Sequence, residues 1–415
     1  MKSNHRGERG QALIVIVFSI IALVGVTALA IDGGNVYAER RRAQNAADAA
    51  ALAGALERVN NNTPSWTDAV FQSANKNGYN NDGVTNVVKV YSPPISGPYA
   101  GNVEYIQVQI TSYIKTYFAS VLGIPQITNE VQAVSRTKTA QYLPILGGAA
   151  VISLAPASDC NNFKAFWVLG EATLDLTGGG IFVNSNNPDC ALITQGSGSI
   201  RIRDNSQIQV VGGASIQKPK LLTPFPPLTG ASPVSYPPPF YMPKVGCGSQ
   251  MAKIQEDGHT MSPGSWSDVF PPPGVDQLAS GVYCLNDDFT LNDNSQLSGN
   301  QVVIKMEHGR LHFSGHAQVD LSAPGSGPNA GLLIYQPQDN TNVMSLNANE
   351  KSSIRGTILA PGAQIRIKGN GSSYGFHSQI VGYTIQVDGQ DDIVFKVIDD
   401  QIYKALTFPQ VQFSQ

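Results

Sequence analysis

The strongest constraint on the fold is a run of twenty residues, Ala12 to Ile31, that carries no charged side chain. As an α-helix, such a run rises about 30 Å, which is the thickness of the hydrocarbon core of a bilayer. A helix buried inside a globular protein rarely extends this far without a charge. The sequence therefore predicts a transmembrane helix at residues 12–31, preceded by a cytoplasmic leader at residues 1–11.

The basic residues that flank this run orient it only weakly. They are Lys2, Arg6 and Arg9 before it, and Arg40 to Arg42 after it. Because this charge bias is nearly balanced, the remainder of the chain decides, and its cysteines and many turn residues favour export. We predict a single-pass protein of the cell membrane, with a cytoplasmic amino terminus and an extracytoplasmic carboxyl-terminal domain.

Alanine dominates the stretch 43-AQNAADAAALAGALE-57, and alanine is the strongest helix former. We expect this helix to resume at Val36, after the flexible pair Gly33-Gly34. Four small residues recur at steps of three and four and so share one face: Ala43, Ala47, Ala50 and Gly54. Such a face lets a neighbouring backbone come close. The pattern predicts a stem helix that packs tightly through this alanine face.

A longer pattern surrounds the same helix. It consists of Arg9-Gly10-Gln11-Ala12 before the apolar run, Asp32 and Gly34 after it, then Tyr37, Arg42 and the run Gln44 to Gly54. Together these residues resemble the amino-terminal signature of TadG-like (TadE/TadG-type) proteins of the bacterial Flp, or tight-adherence, pilus-assembly group. Residues 103–140 are also similar to that group. The resemblance implies a small α+β module at residues 32–140, and other pilus-assembly proteins or pilus subunits as partners.

One position departs from pilin-type sequences. In pilin-type leaders a glycine precedes the cut and glutamate is the fifth residue after it. Here Gly10 is followed by Gln11 and, at the fifth place, by Val15. The departure favours an uncleaved, minor or anchoring role over that of a main pilin.

Beyond Leu143 the sequence changes to short apolar-x-apolar triplets separated by Gly, Asn, Asp and Ser. Examples are Leu174/Leu176, Ile200/Ile202, Val302/Ile304 and Ile365/Ile367. Their spacing of roughly seven to eleven residues is typical of a parallel β-helix, or β-solenoid, in which each coil buries its inward residues against the next. A β-sandwich is the alternative, because it also needs regularly spaced strands. Residues 356–382 resemble the closing repeats of bacterial surface β-helix domains of the choice-of-anchor A type.

Composition divides this mainly-β region into parts. Residues 141–217 and 281–400 are predicted as two β-solenoid parts, and residues 401–415 as a tail. Residues 218–280 are rich in proline, which excludes helix and central strand, so we expect an extended insertion. This insertion is either a linker between two solenoid parts or a flap across one continuous solenoid.

The four cysteines and the low net charge limit which bonds and partners the chain can have. Cys160, Cys190, Cys247 and Cys284 fit two disulfides, with three pairings open. A net charge of −3 and 14% charged residues give no sign of a nucleic-acid partner.

Two groups of polar residues are candidate sites. His308, His312 and His316 lie in a strand context, where residues four apart are about 13 Å apart and cannot share one metal ion. The acidic pairs Asp287-Asp288, Asp391-Asp392 and Asp399-Asp400 suit polysaccharide-cleaving carboxylates, calcium ligands or ordinary turns. The sequence predicts no catalytic, cofactor-binding or metal-ligating residue.

The function that these patterns favour is that of a non-enzymatic, surface-exposed component of a Flp pilus-assembly or adhesion system. One alternative is a membrane-tethered protein that binds or cleaves surface polysaccharide. Another is a secreted adhesin, because Ala28-Leu29-Ala30 has the pattern of a signal-peptidase site with cleavage after Ala30.

Overall fold

The computed structural model describes residues 9–61, 65–348, 351–369 and 373–414. The chain divides into two compact units. The amino-terminal unit comprises Met1–Ala140 and Phe408–Gln415, and the parallel-sheet unit comprises Gln141–Thr407. Most of the predicted leader, residues 1–8, lies outside the described residues.

The elements follow in chain order. Up to residue 140 they are α1 (Arg9–Asn61), α2 (Trp66–Lys76), β1 (Asn86–Tyr91), β2 (Tyr105–Lys115), a 3-10 helix (Ala119–Leu122) and β3 (Gln126–Lys138). The next are β4 (Tyr142–Pro144), a helical turn (Ile145–Gly148), β5 (Val151–Ser153), β6 (Phe166–Val168), β7 (Thr173–Thr177), β8 (Ile181–Val183), β9 (Leu192–Thr194), β10 (Ser199–Ile202), β11 (Ile208–Val210), β12 (Ala214–Ile216), a helical turn (Pro219–Leu221), β13 (Leu222–Thr223) and β14 (Leu228–Thr229). The last are β15 (Thr260–Met261), β16 (Gly264–Trp266), β17 (Gln277–Leu278), β18 (Gly281–Leu285), β19 (Phe289–Leu291), β20 (Gln296–Gly299), β21 (Val302–Met306), β22 (Leu311–Phe313), β23 (Gln318–Ser322), β24 (Leu332–Tyr335), β25 (Met344–Ala348), β26 (Ser353–Gly369), β27 (Ser373–Gly389), β28 (Asp392–Lys396), β29 (Lys404–Leu406) and β30 (Gln410–Ser414).

Helix α1 is continuous over 53 residues and includes both the apolar run and the alanine-rich stretch. The expected interruption at Gly33-Gly34 is absent from it. Each glycine costs a helix about 1 kcal/mol relative to alanine. That cost is small beside the cooperative hydrogen bonding of the long apolar and alanine-rich segments on either side.

The amino-terminal unit contains an antiparallel sheet in the order β1-β2-β3-β30. Alternate residues of β2 are fully buried, namely Ile106, Val108 and Ile110, and they share one core with α1 and α2. Helices and an antiparallel sheet thus share one core in this unit. The fourth strand differs from the sequence prediction, because β30 comes from residues expected to form a tail.

The parallel-sheet unit contains one sheet of 24 strands, in which most strands pair in parallel with the strand three places later in the chain. Strands β5, β8, β11 and β14 form one such series, and β17, β20 and β23 form another. The register places like residues over one another, as in the column Ile358, Ile380, Val151, Ile181 and Ile208. All five side chains are buried, so the apolar triplets of the sequence form a layered core.

The layers do not follow the order of the chain. Strands β27 and β28 pair with β5, β6 and β7, so the last layers of the unit lie against its first ones. At one end of the sheet, β13 and β14 pair with β10 and β11. At the other end, β15 and β16 pair with β17 and β18. The proline-rich segment (residues 218–280) therefore connects the two ends of one continuous parallel sheet.

The proline-rich segment is bound along the sheet and does not act as a free spacer. Val234 exchanges two hydrogen bonds of 2.8 Å with the side-chain amide of Asn184. Further along, the hydroxyl of Tyr236 donates to the carbonyl of Pro361, and Tyr241 donates from its backbone to Leu406. The segment also contributes short strands at both of its ends. The segment therefore lies against one continuous parallel sheet.

A second apolar cluster lies between this segment and the outward face of the sheet. Phe240 and Val245 of the proline-rich segment are both nearly fully buried in it. The sheet contributes outward-facing residues of adjacent strands, namely Ile152, Phe182, Val303, Leu359 and Val381. The proline-rich segment therefore gives the sheet a second core outside its layered interior.

Candidate functional site

The apolar half of α1 has the surface that a bilayer requires. Its large side chains are exposed from Leu13 to Ile31. Among the described residues, α1 is a helix long and apolar enough to cross a membrane, and an 18-residue stretch of it has a mean hydropathy of 3.0. The two hydroxyl side chains of the apolar half, Ser19 and Thr27, each donate to the carbonyl four residues earlier, at 2.8 Å. In lipid every polar group needs an internal partner, so these bonds suit a helix that contacts acyl chains. The helix indicates membrane anchoring.

Asp32 ends the apolar run and is only 5% exposed. Its carboxylate accepts hydrogen bonds from three successive backbone N–H groups, those of Tyr117 at 2.9 Å, Phe118 at 3.0 Å and Ala119 at 2.7 Å. These groups lie at the start of the short 3-10 helix between β2 and β3, where the first N–H groups of a helix lack internal partners. Charge-assisted bonds of this kind are among the strong ones, so Asp32 fixes the β2–β3 loop (residues 116–125) to the end of the apolar run. The sequence pattern included Asp32 without this role.

The alanine face of α1 is buried against other elements of the amino-terminal unit. Ala43, Ala47, Ala50 and Gly54 are all buried, and α1 contacts α2, β2 and β3. Their side chains are so small that the neighbouring backbones can approach the helix axis. The contact is tightest at Gly54, where an added Cβ would lie 2.3 Å from Cγ2 of Val70. Val70 on α2 is thus the partner that the sequence did not identify.

Polar contacts lie at both ends of the alanine face along α1. The hydroxyl of Tyr79 donates to Glu39 at 2.9 Å, and burial raises the pKa of Tyr79, with the nearby Glu39 carboxylate adding to the effect. At the other end, the guanidinium of Arg58 donates to the Ser92 hydroxyl at 2.7 Å. These contacts fix the rotation of α1 on the sheet. A polar cavity of about 490 Å³ opens beside Glu39 and Tyr79.

The candidate polar sites of the parallel-sheet unit do not converge. Within the described residues, no three His, Cys, Asp or Glu side chains lie together as metal ligands would. The Nδ1 atom of His316 lies 3.4 Å from the carboxylate of Asp293. Asp288 pairs with Arg310 at 2.9 Å. Such contacts belong to turns between strands.

Two cavities of this unit separate the members of one acidic pair. Asp399 lines a cavity of about 540 Å³ whose wall is otherwise mainly backbone and amide groups. Asp400 lines a different cavity of about 400 Å³, near Tyr142 and Lys404. A glycosidase needs two carboxyl groups that face each other across one bond. Neither cavity offers that arrangement.

The four cysteines are paired as Cys160–Cys190 and Cys247–Cys284. The first bond joins the segments that follow β5 and β8, which are paired strands. The second joins the proline-rich segment to β18. The sequence left three connectivities open, and the structure has one of them. In it, the first bond links adjacent layers of the sheet and the second secures the proline-rich segment.

Comparison with known proteins bears on α1. Residues 10–57 match the family model described as putative Flp pilus-assembly TadE/G-like. No curated protein and no solved structure matches the chain, and the resemblance of residues 356–382 to choice-of-anchor A domains is not confirmed. The matched segment contains the apolar run, Asp32 and the whole alanine face. Residues 10–57, over the amino-terminal apolar helix, are therefore similar to a TadE/G-like Flp pilus-assembly domain.

Proposed function

We propose that this protein is a membrane-anchored, non-enzymatic component of a Flp pilus-assembly or adhesion system. Helix α1 anchors it, and the parallel-sheet unit presents a β-solenoid for structural or binding contacts outside the cytoplasm. The observation that carries the proposal is the coincidence of the TadE/G-like match with a helix whose exposed face suits a bilayer.

The pairing of strands supports the solenoid over the sandwich. A β-sandwich is built from antiparallel strands, whereas most strands of this unit pair in parallel with a strand about three places later in the chain. Such stacking buries inward residues in columns and leaves flat outer faces, on which weak polar contacts with a partner can form. Pilus subunits or other assembly proteins are the first partners we propose, and surface polysaccharide is the alternative.

The disulfides support export of the parallel-sheet unit. Both bonds, Cys160–Cys190 and Cys247–Cys284, lie in this unit, and structural disulfides persist in oxidising compartments outside the cytoplasm. The amino terminus would then stay in the cytoplasm. The separation of Asp399 and Asp400 into different cavities supports a role in contacts rather than in catalysis.

The test is genetic complementation with an anchor variant and a matched control. Cells that lack the protein receive the wild type, the double variant Leu23→Arg/Val24→Arg, or the control Val84→Arg/Val103→Arg. All four positions are exposed, and only the first two lie in the apolar run. An arginine at the centre of a membrane helix costs about 2.5–3.5 kcal/mol, so the anchor variant should fail to insert.

The readouts are the membrane-bound fraction of the protein, the amount of assembled pili and attachment to a surface. We expect the anchor variant to lose all three and the control to restore them. Normal piliation and attachment in cells without the protein would contradict the proposal. Degradation of a released polysaccharide by the purified full chain would favour the enzymatic alternative.

A further inference from the structure

The β2–β3 loop (residues 116–125) presents large apolar side chains to solvent. Val121 is 84% exposed and Leu122 is 82% exposed, and Tyr117, Phe118 and Ile124 are also exposed. The loop contains no charged residue. An exposed apolar surface of this kind marks a site that binds another protein or contacts a membrane.

The loop is held in a defined conformation. The backbone N–H of Thr116 donates to the carbonyl of Pro125 at 3.1 Å, which closes the loop at its base. Gly123 has a φ of +85°, a conformation that favours glycine, and it ends the 3-10 helix that carries Val121 and Leu122. The exposed apolar residues are therefore presented on an ordered tip.

Contacts along α1 fix the level of this tip. Arg58 donates to the carbonyl of Val103 at 3.0 Å, just before β2 begins, whereas Asp32 binds the backbone just after β2 ends. Strand β2 thus runs antiparallel to α1, and its far end lies beside the last residue of the apolar run. From Asp32 to Arg58 the helix rises about 39 Å, which separates the two ends of β2. The tip lies at the level where α1 would leave the membrane.

We propose that the β2–β3 loop is a second membrane contact, which inserts Val121 and Leu122 into the interfacial layer of the bilayer beside α1. The occupant of this apolar surface is lipid because the surface continues the lipid-facing side of α1 at Ile31. Tyr117 and Phe118 supply aromatic rings at the depth where such rings are enriched. Lys115 and Arg40 to Arg42 are exposed on the headgroup side and suit anionic lipid.

The inference depends on the membrane anchoring by α1 in the proposed function, and not on which side of the membrane the unit occupies. The full chain is reconstituted in vesicles of phosphatidylcholine and phosphatidylglycerol. The acyl chains are either unmodified or brominated close to the headgroup, since bromine quenches tryptophan on contact. Each variant adds one tryptophan, and the fluorescence of the wild type is subtracted.

Four variants separate the possible results. Phe18→Trp reports on the anchor, Val121→Trp and Leu122→Trp report on the tip, and Val103→Trp is the matched control. Val103 is an exposed valine, at 64%, at the opposite end of β2. We expect the brominated lipid to quench Phe18→Trp and both tip variants and to leave Val103→Trp unchanged.

The two proposals fail in distinguishable ways. If Phe18→Trp is quenched but neither tip variant is, the loop does not contact lipid and the inference is overturned while the anchor stands. If the tip tryptophans emit at shorter wavelength in both lipids without quenching, a protein surface covers the loop, which also overturns it. If Phe18→Trp itself is not quenched, membrane anchoring by α1 fails, and the inference fails with it.

Discussion

The two units of this protein use small and large side chains in opposite ways. In the amino-terminal unit the core beside α1 consists largely of alanines, and close approach of backbones replaces bulk. In the parallel-sheet unit the interior is filled mainly by Ile, Leu, Val and Phe, and alanines are a minority of it. The first arrangement depends on one fit between particular elements. The second repeats the same contact from layer to layer.

This difference predicts how each unit responds to damage. A layered sheet shares its stability among neighbouring layers, so a lost side chain should weaken adjacent strands first. A close-packed helix has no neighbouring copy to share the strain. In the parallel-sheet unit we therefore expect substitutions to cause large losses of stability near the changed residue. In the amino-terminal unit we expect the loss of stability to depend sharply on which residue is changed.

The largest expected effect comes from removing an aromatic ring from the layered core. Phe289 is fully buried, and its ring centroid lies 5.0 Å from that of Phe270 and 5.1 Å from that of Phe313. Phe289→Ala should lower the free energy of unfolding by about 3–5 kcal/mol. Hydrogen exchange should show faster opening of β19 and β22, and Phe225→Ala, at an exposed site, should show no change. Equal loss of protection in β2 would contradict the layered account.

The disulfides come next, because they lie in one unit only. Residues 1–140 and 408–415 contain no cysteine. The two bonds span 30 and 37 residues of sequence. Removing either should cost the parallel-sheet unit about 2–4 kcal/mol. Urea unfolding monitored by hydrogen exchange should thus show that reducing agent destabilises β5 to β29 and leaves β1 to β3 unchanged, and a shift in both would weaken the comparison.

A single methyl group tests the fit of the alanine face. Gly54→Ala gains about 1 kcal/mol of helix propensity but places its Cβ against Val70, and overpacking typically costs about 1–3 kcal/mol. Gly33→Ala is the matched control, since nothing lies within 4 Å of its added Cβ. We expect Gly54→Ala to destabilise the amino-terminal unit in thermal unfolding and Gly33→Ala to leave it unchanged or more stable.

A second substitution makes this result specific to the contact. Val70→Ala removes the Cγ2 atom that the added methyl would meet. In the double variant Gly54→Ala/Val70→Ala, the cost of the glycine change should therefore disappear, which a double-mutant cycle measures. If Gly54→Ala lowers the stability equally in the wild type and in Val70→Ala, the alanine face is not closely packed against Val70.

The smallest effect is expected at the surface of the amino-terminal sheet. Arg136 pairs with Glu104 at 2.8 Å, and both side chains are about one-third exposed. Surface pairs of this kind contribute about 0–1 kcal/mol. Glu104→Gln should therefore shift the thermal midpoint very little. A loss as large as that of Gly54→Ala would show that polar contacts, not the alanine face, hold this unit together.

Local patterns predicted much of this fold. The apolar run and the alanine stripe predicted the two halves of α1, because both depend on neighbouring residues along one helix. Most apolar triplets lie in the layered core for the same reason. Two of them are irregular. In the triplet Ala191/Ile193 the residue between, Leu192, is buried in the core, and in the triplet Leu332/Ile334 the first residue, Leu332, faces the second apolar cluster. A slip of one residue reverses the face of a strand, and a triplet alone cannot reveal it.

The features that could not be predicted depend on pairing between distant segments. The pairing of β3 with β30 and the placement of β27 against β5 join residues more than 200 positions apart. The contacts of the proline-rich segment depend on outward residues such as Phe182, which resemble any exposed strand residue in the sequence. The role of Asp32 required knowledge of where the β2–β3 loop lies. The uncharged, apolar sequence of that loop was the one local signal available.

The central claim is that α1 holds the parallel-sheet unit outside the cytoplasm. The most direct measurement attaches a tag to the carboxyl terminus and follows it in cell fractions. Protease is added to cells whose outer envelope has been permeabilised while the cytoplasmic membrane stays intact, and a cytoplasmic protein serves as the control. The account predicts a tag that fractionates with membranes and is destroyed by the protease. A tag released into the medium, as cleavage after Ala30 would produce, or a membrane-bound tag that survives the protease would contradict it.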